Sequence, residues 1–242
     1  MRSFNRKFSP LLALAGLLAL TACSTLSYRA LQTDFNAAVQ LDNTGQPFTD
    51  AHGQVVDTLT PAYIAKLNPK LRPNAWTLRA ISSWRSGQLS NAVESARLGL
   101  KEPTLQANSR DAVILKMVPG LVIDSELLMK WHGATNELTE AQYKQFARDF
   151  ITALRQFREA QTAIGPPTPD SVVAYFHFQK WRVLEDWRYV MSWVGEQSVG
   201  EAARREAKSF LGKEIDQATD AERDAIPAGH PLRQYIRAKG GN

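Results

Sequence analysis

Apolar residues recur every three to four positions along most of this chain, and runs in which Val, Ile, Thr or Tyr alternate with polar residues are missing. That periodicity predicts an all-α fold of antiparallel helical hairpins, arranged as an α-solenoid or as an irregular bundle. A first helix, at about residues 25–42, aligns Leu31, Phe35, Ala38 and Val39 on one face, and residues 43–58, rich in Gly, Asp, Asn, Thr and Gln, read as a loop. Further helices are predicted near 61–68, 74–87, 89–101, 105–118, 120–132, 139–163, 169–197, 199–211 and 220–225, followed by a short basic segment from Pro231 to Lys239. Thr60-Pro61 and Thr168-Pro169 place a capping hydroxyl before a proline suited to a first helical turn. Thr139 with Gln142, Ser198 with Glu201 and Thr219 with Glu222 have capping-box spacing. The strongest break, Gly165-Pro166-Pro167-Thr168-Pro169, reads as a turn inside one continuous bundle, because the helices on both sides are apolar and need partners; a subdomain boundary at 164–169 is the alternative.

Two helices carry a charge inside an apolar face. Between residues 171 and 197, Val173, Phe176, Val183, Leu184 and Trp187 share one arc, with Lys180 in its middle and His177 at its edge. In the helix near 120–132, Leu121, Leu127 and Leu128 share an arc with Asp124. A buried charge is costly unless paired, so Lys180 has three readings. It reaches along the helix to water, it pairs with a carboxylate such as Asp124, or it joins His177 and Trp181 in a pocket for an anionic ligand.

Residues 74–103, NAWTLRAISSWRSGQLSNAVESARLGLKEP, form two helical stretches joined at Ser86-Gly87-Gln88. The segment resembles a tetratricopeptide repeat, a helix–turn–helix unit of about 34 residues. Trp76, Ala80, Gly87, Leu89, Ala92, Ala96, Gly99 and Pro103 fall where that family has an aromatic residue, small contact residues, a turn glycine, a large apolar residue and a closing proline. Arg79 departs from it, standing where the family has Leu, Pro103 comes one residue early, and no second copy is legible although such repeats normally stack in threes. The resemblance implies a concave face bearing Asn74, Thr77, Ile81, Trp84 and Arg85, which in this family binds peptide segments.

The start of the chain has a different character. Arg2, Arg6 and Lys7 precede the apolar run Leu11 to Leu20, which is too short for a hydrocarbon core that needs roughly 20 residues. The run ends in Leu20-Thr21-Ala22-Cys23, with the only cysteine of the chain. This resembles the lipobox of bacterial lipoproteins, and the resemblance implies that residues 1–22 are a signal peptide and that Cys23 is acylated and heads a helical domain of residues 23–242. Such a protein is held at a membrane through lipid. Ser24 in place of an aspartate implies the outer membrane, facing the periplasm.

Composition changes little of this. The chain has 29 Lys and Arg against 24 Asp and Glu, and without the first 22 residues the balance is 26 to 24, so no concentrated basic footprint for nucleic acid remains. With one cysteine no internal disulfide forms, and the core rests on apolar packing. No phosphate-binding Gly loop, His-Glu-x-x-His pair or Gly-x-Ser-x-Gly elbow occurs, and His52, His132, His177 and His230 lie far apart in sequence, so neither a metal nor a cofactor is expected. Glu94-Ser95 is similar to the Glu-Ser dipeptide of lytic transglycosylases, but the Gly-Leu-Met-Gln-like segment that follows there is absent and Glu94 reads as a solvent-facing residue. The sequence thus points to a non-enzymatic, lipid-anchored helical adaptor that binds an envelope protein or peptide. A ligand-binding accessory of a transport system is the second reading and a peptidoglycan-active enzyme the third.

Overall fold

The structure, a computed structural model, describes residues 28–39, 49–132, 140–197 and 212–240, and among these residues there is helix and no strand. The helices are α1 (residues 28–39), α2 (Thr49–Thr58), α3 (Pro61–Lys66), α4 (Arg72–Arg85), α5 (Leu89–Gly99), α6 (Arg110–His132), α7 (Glu140–Gln161), α8 (Asp170–Gln197), α9 (Gly212–Asp224) and α10 (Pro231–Gly240). Cys23, Thr139 and the Ser198–Glu201 pair lie outside the described residues, as do the helix expected at 199–211 and the signal segment.

Three antiparallel helix pairs, α4–α5, α6–α7 and α8–α9, lie side by side in chain order and are called hairpins below, the residues that join α6 to α7 and α8 to α9 lying outside the described ones. Their first helices lie side by side, α4 against α6 and α6 against α8, while α5 also packs on α6. This adjacency fits both a helical bundle and a short solenoid, with each pair burying an apolar face against the next. The α4–α5 hairpin turns at Gly87, whose φ of +75° is open to glycine and strained for other residues. Ala80, Ala92, Ala96 and Gly99 are all buried where the two helices meet. A Cβ on Gly99 would stand 2.8 Å from Leu115 Cδ1 and from Trp76 Cβ, so a side chain is excluded there by α4 and α6 together. Gly120 plays the corresponding part between α6 and α7, where a Cβ would meet the Phe157 ring at 2.9 Å. Phe150 stacks on Trp187 with centroids 3.9 Å apart, and Phe157 meets Phe176 at 6.0 Å, which joins the second hairpin to the third.

Several expectations are corrected. The expected loop at 43–58 contains α2, because His52, Val55, Val56 and the following Leu59 form one buried face against α4. The helices expected at 105–118 and 120–132 are one, with Pro119 inside α6; burial of Val118, Gly120 and Leu121 on either side holds the helix through the missing amide. The basic segment from Pro231 is the helix α10, which sets Ile236 beside Trp181 and Ile226 in a small apolar cluster. Thr60 caps α3, its hydroxyl accepting from the Tyr63 amide, as expected. Thr168 does not cap α8: its hydroxyl donates to Asn108 O at 2.7 Å, which pins the turn before α8 to the turn before α6. Thr219 lies within α9 and donates to Ile215 O, so its expected capping box with Glu222 does not form. Arg79, the departure from the repeat pattern, donates from Nη1 to Val56 O and Leu59 O and so closes the carbonyl end of α2.

Candidate functional site

The three first helices of the hairpins present polar side chains to one another along a seam. From α4 comes Trp84, whose indole N–H donates to Ser125 Oγ on α6 at 2.9 Å. The guanidinium of Arg85 lies 4.4 Å from the Trp84 ring centroid and that of Arg182, from α8, lies 5.0 Å from it. One indole thus accepts two cations by its ring face and donates by its edge, which ties all three hairpins to one side chain. Next to Ser125, Asp124 is only 4% exposed. Arg182 Nη2 stands 3.8 Å from Asp124 Oδ2, and Arg182 Nε stands 3.8 Å from Asp186 Oδ2. Both distances are ion-pair contacts that exceed hydrogen-bond length. Asp124 Oδ2 and Arg182 Nε accordingly lack a hydrogen-bond partner among the described residues.

The electrostatics follow from that geometry. Burial pushes the Asp124 carboxyl up, the neighbouring charge of Asp186 adds to the effect, and Arg182 offsets only part, leaving it at about 7. A carboxyl in that range changes charge near neutral pH. Its ionisation beside a half-buried guanidinium makes the seam sensitive to proton concentration near neutral pH.

A second polar cluster lies on the other side of α8. His177 Nδ1 donates to Glu222 Oε2 at 2.7 Å and Lys180 Nζ donates to Glu222 Oε1 at 2.5 Å, so one carboxylate of α9 takes both basic side chains of α8. Burial pushes the Glu222 carboxyl up, but the hydrogen bonds from His177 and Lys180 outweigh it and hold the group below its usual range. Trp181 is buried with Ile226 and Ile236, its neighbour Phe178 stacking 5.9 Å away.

The sequence-derived candidates are therefore redistributed. The Asp124–Lys180 pair is not formed: residues 180 and 182 leave α8 on different sides, and each acid takes the base that faces it, Asp124 facing Arg182 and Glu222 facing Lys180. Pairing with a carboxylate is the reading of Lys180 that holds, with the partner corrected. An anion pocket built on Lys180, His177 and Trp181 is disfavoured, since Glu222 already neutralises the lysine and Trp181 is buried. Nor do Asn74, Thr77, Ile81, Trp84 and Arg85 line an open concave face. Thr77, Ile81 and Trp84 are buried, with α2 and α6 packed on α4. Asn74 accepts from Tyr28 and Gln32 of α1 and donates to Asp111 of α6. Arg85 alone of the five combines partial exposure with a place in the seam. Glu94 is exposed and pairs with Arg97. Hydrogen bonding from that arginine holds its carboxyl below the usual range, the reverse of what a general acid requires.

Sequence reasoning misses Ser125, Arg182, Asp186 and Glu222. The signal for Arg182 is its spacing of four from Asp186, whereas Glu222 reads as part of a cap because its spacing from Thr219 fits one. Among the described residues no group of His, Cys, Asp and Glu is placed to hold a metal ion, and no helix is long and apolar enough to cross a membrane. No family model, curated protein or solved structure matches the chain.

Proposed function

We propose that this chain is a lipid-anchored envelope protein, held at the outer membrane through acyl groups on Cys23, whose hairpin stack is a docking scaffold for another envelope protein or a peptide. The observation that supports it is the side-by-side packing of three antiparallel helix pairs. Such a stack fixes side chains from successive units on a shared surface and needs no enclosed cavity to do so. The docking surface is the exposed edge of the Trp84 seam. It carries Arg85 against the Trp84 ring and the Arg182–Asp186 ion pair, while Met129 of α6, 57% exposed, and Tyr189 of α8, 62% exposed, lie farther along the same two helices toward their carboxyl ends. Exposed Tyr and Met beside arginine are the side chains enriched at protein interfaces.

A photo-crosslinking residue placed at Tyr189 or Met129 in living cells tests this reading. A discrete adduct that disappears in the Arg85→Ala variant is expected, with a crosslinker at the exposed Val93 of α5 giving none. Equal adducts from Val93 and Tyr189, or none from Tyr189 and Met129, would overturn it. Intact mass of the exported protein tests the anchor, which requires acyl groups on an amino-terminal Cys23.

A further inference from the structure

The end of the stack that holds Tyr28 carries more bases than acids. Tyr28 of α1 donates its hydroxyl to Asn74 Oδ1 at 2.6 Å, and Asn74 Nδ2 donates to Asp111 Oδ1 at 3.1 Å, so this turn of α1 lies beside the amino-terminal turns of α4 and α6. The turns at this end are knitted together: Thr104 donates to Pro69 O, and Asn108 is bonded to Thr168 and Pro166. Exposed on them or on the adjoining helix ends are Arg29, Lys66, Lys70, Lys101, Arg110 and Arg158. Of the carboxylates here, Glu159 and Asp170 are exposed, while Asp111, accepting from Asn74, and Glu102, accepting from the Trp76 indole, are half-buried and keep their charge, so six exposed bases stand against four acids, two of them exposed. Tyr28 follows Cys23 by five positions, so the anchor sulfur stands at most roughly 18 Å of extended chain from this surface.

We infer that this end of the stack rests on the anionic headgroups of the membrane in which Cys23 is anchored, and so holds the hairpins upright with the Met129 and Tyr189 end turned toward the aqueous side. The inference rests on the proposed anchor and adds to it an orientation and a lipid class. A short tether alone lets the body tumble within its radius. Basic side chains within a Debye length of anionic lipid, each strengthening binding roughly fivefold, select one face from that range.

Amine acetylation read by mass spectrometry on the acylated full-length chain, in phosphatidylethanolamine vesicles with and without phosphatidylglycerol, provides the test. Lys66, Lys70 and Lys101 should become severalfold less reactive when the anionic lipid is present, and Lys130 near the far end of α6 should not change; high salt should restore reactivity. Lys70→Gln with Arg110→Gln should weaken the protection of Lys66 and Lys101 severalfold, whereas Lys130→Gln should leave it intact. Equal reactivity of all four lysines in anionic vesicles, protection as strong in neutral vesicles, or the same footprint produced by a soluble polyglutamate in place of lipid would each overturn the contact. Intact mass keeps the two claims apart: a chain without acyl groups sinks the anchor, and an acylated chain with uniformly reactive lysines sinks this surface alone.

Discussion

Between α4 and α5 the helices meet through Ala80, Ala92, Ala96 and Gly99, whereas between α8 and α9 they meet through His177, Lys180 and Glu222, with Arg188 and Asp216 at the rim. The first hairpin closes on small side chains, with the Trp76 Cβ against the bare backbone of Gly99. The third is held by long side chains whose charges are neutralised where its helices meet. Small-residue contacts depend on shape and are insensitive to pH or salt, while the polar contacts depend on ionisation and on every member of the cluster being present. The two regimes meet at Asp124 and Arg182, where the second hairpin packs on the third.

Two carboxyls give that contrast opposite pH signatures. Asp124 is held at about 7, above its ordinary value of 3.8, so the folded chain binds its proton more tightly than the unfolded chain and stability falls as pH rises from about 4 to 7. A displacement of that size corresponds to roughly 4 kcal/mol at the upper limit. Asp124→Asn, which cannot ionise, should therefore raise the urea midpoint strongly at pH 8 and barely at pH 4; an unchanged midpoint at pH 8 would show that Arg182 compensates the charge fully. Glu222 is depressed below its ordinary value of 4.5, so its contribution is present above that value and lost as pH falls through the depressed range. Glu222→Leu should cost about 3 kcal/mol at pH 7, since it strands Lys180 and His177 in a mostly buried gap, and a further Lys180→Met should recover most of it. Failure of that rescue would mean that the third hairpin is held by Ile215 and its apolar neighbours instead.

The uneven legibility of the sequence has the same origin. The α4–α5 hairpin is readable because its contact residues are small and fall at helical spacing around Gly87, and the structure closes it over Arg72–Arg85 and Leu89–Gly99, close to the helices predicted at 74–87 and 89–101. The second and third hairpins close with Gly120 against Phe157 and with Glu222 against two bases, and neither arrangement leaves a spacing signature. Helix α2 is hidden by composition, since a segment with Gly53 among polar neighbours reads as loop until His52, Val55 and Val56 find α4. The seam is half visible. Trp84, Arg85 and Asp124 each stand out in the sequence, but as members of separate features, because which base faces a buried acid depends on the rotation of α8 against α6. A difference of two positions, 180 against 182, reverses the assignment.

The first hairpin can be broken by steric means alone, and the expected effects are smaller. Gly99→Ala places a Cβ 2.8 Å from both Leu115 and Trp76, a clash that moves either α5 away from α4 or Leu115 out of its rotamer, at about 2 kcal/mol. Because no charge is involved, that loss should be the same at pH 5 and pH 8 and in low and high salt; a pH-dependent loss would place the strain at the seam, through Trp84 on the same helix as Trp76, and erase the difference between the two hairpins. Gly87→Ala is gentler, since nothing lies within 4 Å of its Cβ and only the φ of +75° resists it. A strained left-handed alanine costs about 1 kcal/mol. The thermal midpoint should fall by a few degrees, with the near-ultraviolet signal of Trp84 unchanged because the turn can open without moving the helices it joins. A change in that signal would mean that the turn sets the separation of α4 and α5, leaving Ala80, Ala92, Ala96 and Gly99 merely to fill a gap fixed elsewhere.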